Sequence, residues 1–95
     1  MQAKFSESYL FRLFLSDRTR RSEEQIRNLR AILDYKFKDQ YVLEIIYVIE
    51  TPELAEREDV LCVPMLIKEL PLPARRLVGD FSRIENITVG LELVE

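Results

Sequence analysis

The chain has 95 residues, 47% hydrophobic and 33% charged, with a net charge of −3, no histidine and one cysteine. This suits one domain spanning residues 1–95, near the lower size limit for a self-sufficient core, and gives no bulk attraction to nucleic acid or an anionic membrane. A lone cysteine forms no internal disulfide, no apolar run reaches the roughly 18 residues of a membrane span, and no signal-peptide core is present, so a cytoplasmic protein is expected.

Met1 to Ser8 is polar and is expected to be a flexible N-terminus. Tyr9-Leu10-Phe11-Arg12-Leu13-Phe14-Leu15 carries a single charge and fits a central strand covered on both faces. A polar loop follows, Ser16 to Arg21, holding Asp17, Arg18, Arg20 and Arg21. Ser22 with Gln25 three positions later is a capping-box pattern, and Ile26, Leu29, Leu33 and Phe37 recur at helical spacing with Ile32 widening the face. An amphipathic helix over Glu23–Lys38 is predicted. Tyr41 to Ile49 reads as a second strand, which completes a βαβ unit with parallel strands. The helix covers one face of that pair, so the second half of the chain has to cover the other.

Thr51 and Pro52 suit an N-cap and first helical position, and Glu53 to Glu58 would add about one and a half turns. The stretch Val60 to Asp80 then holds three of the four prolines, the only cysteine and Gly79. X-Pro bonds exchange over tens to hundreds of seconds, so Pro64, Pro71 and Pro73 read either as rigid turns or as slow latches. Met65–Leu70 and Arg75–Val78 each suit a strand or a helical turn. The tail is balanced as well. With period two, Ile87, Val89, Leu91 and Leu93 line a strand face; with the helical period, Ile84, Ile87, Leu91 and Val94 line a helix face. Gly90 weakens either form.

A βαβ start followed by a proline-preceded strand is similar to the thioredoxin architecture. Its chemistry needs a thiol at the first strand-to-helix turn, and the residues there, Ser16 to Ser22, include no cysteine. Cys62, between Leu61 and Val63, is expected to be a small buried hydrophobe. Without histidine or a glycine-rich phosphate loop, the sequence argues against an enzyme and calls for no cofactor or metal. Two basic clusters remain, Arg18/Arg20/Arg21 and Lys68/Arg75/Arg76. They read as solvated surface or as docking patches for an acidic protein, with nucleic acid disfavoured by the acidic balance.

The segments Tyr9–Leu15, Thr51-Pro52-Glu53-Leu54-Ala55-Glu56, Leu70-Pro71-Leu72-Pro73-Ala74-Arg75-Arg76-Leu77-Val78-Gly79-Asp80 and Val89-Gly90-Leu91-Glu92-Leu93 resemble the KaiB family of circadian-clock proteins. The resemblance implies an α/β fold with a thioredoxin-like βαβ N-terminal half and a fold-switching C-terminal half. A ground state of order β-α-β-β-α-α-β, usually a homotetramer or dimer, exchanges with a monomer of thioredoxin-like order β-α-β-α-β-β-α. The ground state is the form expected here. It implies that the switched monomer docks on a KaiC-type ATPase ring, displaces a SasA-type histidine kinase and helps sequester KaiA. It also implies fold-switch roles for Pro64, Pro71, Pro73, Gly90 and Glu92, and partner contacts for Lys68, Arg75 and Arg76. The chain departs from the family in its first loop, in Val63 and Met65 around the proline, and in acidic Glu24, Glu44 and Asp59 where clock members are often basic. A divergent relative acting in stress adaptation through another partner, or a SasA-like sensor domain, therefore remains an alternative.

Overall fold

A computed structural model of the protein describes residues 8–94, so the expectation for Met1 to Glu7 lies outside the described residues. Seven elements follow in order: β1 (Tyr9–Leu15), α1 (Arg20–Phe37), β2 (Tyr41–Tyr47), α2 (Pro52–Arg57), β3 (Met65–Leu70), β4 (Arg75–Val78) and α3 (Ile84–Val94). The strands form one sheet in the order β2-β1-β3-β4. β1 runs parallel to β2, with Tyr9 opposite Tyr41 and Leu15 opposite Tyr47. β3 is antiparallel to β1, and β4 is antiparallel to β3. This is the thioredoxin-like order; the ground-state order expected from the family is not the one found.

The packing explains why the tail is a helix. Phe11, Leu13 and Leu15 point from β1 toward α1, where they meet Leu29, Leu33 and Phe37. Phe81, Ile87 and Leu91 complete that same core, each no more than 1% exposed. Ile87 and Leu91 stand four apart, the spacing that puts two side chains on one helical face. They seal the part of the sheet that α1 leaves open. On the opposite face Phe14, Met65 and Ile67 are met by Leu54 of α2 and by Val60 and Val63. The second half of the chain thus contributes cover to both faces, where the sequence required it for only one.

Three local expectations are revised. α1 begins at Arg20, because Thr19 is the N-cap: its Oγ1 accepts the Ser22 N–H at 3.0 Å, and Ser22 Oγ accepts the Thr19 N–H at 2.8 Å. This reciprocal box stands three residues ahead of the Ser22/Gln25 pair, and both of those residues are buried inside the helix. Thr51 does precede α2, but its hydroxyl donates to the Tyr47 carbonyl at 3.2 Å and makes no cap. Cys62 is exposed in the loop before β3, where Val60 and Val63 rather than the cysteine pack against the core. The Val63–Pro64, Leu70–Pro71 and Leu72–Pro73 bonds are cis. Pro64 directly precedes β3, while Pro71 and Pro73 lie in the β3–β4 turn.

Candidate interaction and switch site

The three basic residues assigned to partner contact do not form one patch. Lys68 is only 4% exposed, because it shares a face with buried Leu66 in a strand covered on both sides and stands opposite Phe11. Arg75 is exposed on β4. The Arg76 guanidinium donates to the carbonyls of Asp59 at 3.1 Å and Glu58 at 2.5 Å, which ties β4 to the end of α2. Asp59 itself has a positive φ of 58°.

Arg18 and Arg21 of the first basic cluster are also paired within the chain, while their side chains stay exposed. Arg18 reaches Glu50 through Nε at 2.5 Å and Nη2 at 3.1 Å, and lies 4.4 Å over the Tyr47 ring. Its hydrogen bond holds the Glu50 carboxyl below the usual range. Arg21 pairs with Asp80 at 3.3 Å. The Ser82 hydroxyl and then the Ser82 backbone N–H hold the Asp80 carboxyl below its ordinary value, with Arg21 contributing less. Behind Arg21, Gln25 Oε1 accepts the Phe81 N–H at 3.1 Å, and Asn28 Nδ2 donates to the carbonyls of Phe81 at 3.3 Å and Ser82 at 3.0 Å. This clasp is barely legible in the sequence. Its only trace is a glutamine in line with the apolar face of α1.

Beside the clasp a cleft of about 280 Å³ opens between Leu15, Ser16, the start of α1 and Val63-Pro64. It stands where a thioredoxin would carry its thiol. The lining offers hydroxyls from Ser16, Thr19 and Ser22, but no thiol, imidazole or carboxylate to activate one. Among the described residues, no group of three or more His, Cys, Asp or Glu is placed to hold a metal ion.

On the face that α2 only partly covers, Arg12 is ringed by Glu44 at 2.9 Å, Glu69 at 3.7 Å and Glu58 at 3.9 Å. Three carboxylates around one guanidinium leave the centre of that face net negative. Val42 on β2 and Leu70 on β3 are about half exposed.

Gly90 falls inside α3, and Glu92 is helical in backbone while its side chain lies outside the described residues. A Cβ at Gly90 would stand 2.3 Å from Leu77 Cδ2. The glycine therefore lets α3 lie directly on β4. The obstacle is the end of a flexible side chain, and it borders a groove of about 410 Å³ shared with Val89 and Phe81. Alanine gains about 1 kcal/mol over glycine in a helix interior. Gly90→Ala is accordingly expected to stabilise this packing by up to about that amount, read as a higher denaturation midpoint with stronger helical circular dichroism. A lower midpoint would mean that Leu77 cannot yield.

The family model for the KaiB domain matches residues 12–93. The circadian clock oscillator protein KaiB of Synechococcus elongatus is 38% identical over 88 residues, covering 93% of this chain and 86% of that protein. The protein of the same name from Thermostichus vulcanus is 37% identical over 92 residues, covering 97% and 85%. In structure, the chain is similar to the N-terminal domain of Synechococcus elongatus SasA, with a TM-score of 0.71 at 23% identity over 92% of this chain and 80% of that one. It is also similar to the thioredoxin Deadhead of Drosophila melanogaster, with a TM-score of 0.65 at 20% identity over 96% and 85%. The two solved structures establish the thioredoxin-like fold, and the match across residues 12–93 places the chain in the KaiB family.

Proposed function

We propose that the protein is a KaiB-type timing regulator that does no chemistry of its own and acts by docking, in its thioredoxin-like form, on a KaiC-type ATPase ring. The observation that carries this reading is a KaiB-family chain whose last eleven-residue element is the helix α3, packed beside α1 as in a thioredoxin-like domain. In this reading a second packing, with the tail extended and the chain self-associated as a dimer or tetramer, competes with the form described. Docking then displaces a SasA-type kinase of similar fold and helps sequester KaiA. A partner that selects one of two packings sees its affinity lowered by that packing's share of the population. Rearranging residues 65–94 makes capture slow, and slowness serves a timing device.

The Arg12 cluster supports a second reading, a relative that serves stress adaptation through a different partner. Glu44 is both acidic where clock members are often basic and engaged with Arg12. Like charges brought together at an interface cost several kcal/mol. Titration with the KaiC-type protein of the same organism separates the two. Saturable binding with a slow phase supports the clock reading, and no binding at high concentration removes it in favour of the second.

A further inference from the structure

Arg21, Gln25 and Asn28 follow one another at steps of four and three along α1, so they form a single stripe. All three reach the turn Asp80–Ser82, which joins β4 to α3. That turn belongs to neither a strand nor a helix, yet Phe81 is 1% exposed. Buried backbone groups need partners. Both backbone polar groups of Phe81 find theirs on α1: its N–H in Gln25 Oε1 and its carbonyl in Asn28 Nδ2. Gln25 is itself only 4% exposed, so its side chain is costly to strand if the turn departs.

We infer that this stripe is a conformational latch: α1 recognises the backbone of Asp80–Ser82 and thereby selects the helical packing of residues 84–94. The inference rests on the two-packing reading above and adds to it the device that sets the balance. An arrangement that carries the tail away as a strand must break the Arg21–Asp80 pair and the Gln25 and Asn28 bonds together. It would also take from the Gln25 amide the Phe81 N–H that its oxygen accepts. The tail's own sequence is balanced between two periodicities, so the deciding term comes from outside it. The βαβ unit supplies that term through polar side chains, and its apolar surface fits any cover of suitable shape.

The test compares the full chain with a Gln25→Met, Asn28→Leu double variant and with Arg27→Gln, an exposed change on the same helix, by amide spectra and hydrogen exchange. Where the parent chain shows two sets of signals for residues 87–91, the double variant is expected to lower the helical-to-extended ratio at least tenfold while Arg27→Gln leaves it unchanged. An unchanged ratio in the double variant overturns the latch and leaves the two-packing reading intact. If the parent shows one form only, that reading fails by itself. The latch is then judged by local opening: amides of 80–94 exchanging at least tenfold faster relative to β1 support it, and equal acceleration overturns it. Should the double variant lose protection in β1 and β2 as well, Asn28→Ala alone decides. A threefold faster exchange confined to 80–94 supports the latch, and a uniform change rejects it.

Discussion

Replacing Phe81 with alanine is expected to cost about 3–5 kcal/mol, because a fully buried aromatic ring is lost and a cavity remains. Phe81 sits at the junction of α1, α3 and the sheet, among Leu29, Leu33, Ile87 and Leu91. Domains of this size are stable by only about 5–15 kcal/mol, so the loss is a large share of the whole. Its consequences should be uneven. β1 and β2 are joined by a complete parallel ladder, and α1 keeps its own contacts with them. α3 touches the rest of the protein mainly through α1 and β4, and loses the ring that fills the space beneath it. Urea unfolding followed by circular dichroism and by amide exchange checks this. The helical signal of α3 should fall before the βαβ unit melts. A loss below about 1 kcal/mol with α3 intact would show that the ring is not what seats the tail.

The companion change is Leu33→Ala, expected to cost about 2–5 kcal/mol. Leu33 is fully buried on α1 against the sheet, in the βαβ half of the chain. Every arrangement that keeps α1 on β1 needs it, so the whole molecule should lose stability in a single transition. The pair of variants is therefore more informative than either alone. Similar apolar losses at Phe81 and Leu33 should give a partial transition in one case and a global one in the other. The comparison is made from denaturation curves recorded with two probes, helical dichroism and tyrosine fluorescence. Coincident curves for both variants would mean that the chain behaves as one cooperative unit and that its halves are not separable.

Legibility in the sequence follows the range of the interactions involved. β1 and β2 were plain because nearly every residue in each is apolar, and α1 because Ile26, Leu29, Leu33 and Phe37 repeat at helical spacing. The start of α1 was displaced because Thr19 and Ser22 box as well as Ser22 and Gln25 would, and choosing between them depends on Gln25 being claimed by Phe81, 56 residues on. The tail was undecidable locally for the same kind of reason. Ile87 and Leu91 fit either period, and what favours the helix lies outside the tail, in the room beside α1, the clasp on Asp80–Ser82 and the close approach of Gly90 to Leu77. Lys68 is grouped with Arg75 and Arg76 in the sequence because lysines are mostly exposed. Its burial follows from β3 lying between β1 and β4, a neighbourhood that local pattern does not encode. Proline positions were visible, while the clasp on Asp80–Ser82 was not, since it is made by polar side chains whose partners are backbone atoms far along the chain.

Cys62 offers a practical consequence. It is the only thiol in the sequence and lies exposed in the loop ahead of Pro64, at the boundary between α2 and β3. A maleimide-linked fluorophore would attach there, at one defined position, without any engineered residue. Emission from that dye would report on the seam between the two halves of the molecule in real time.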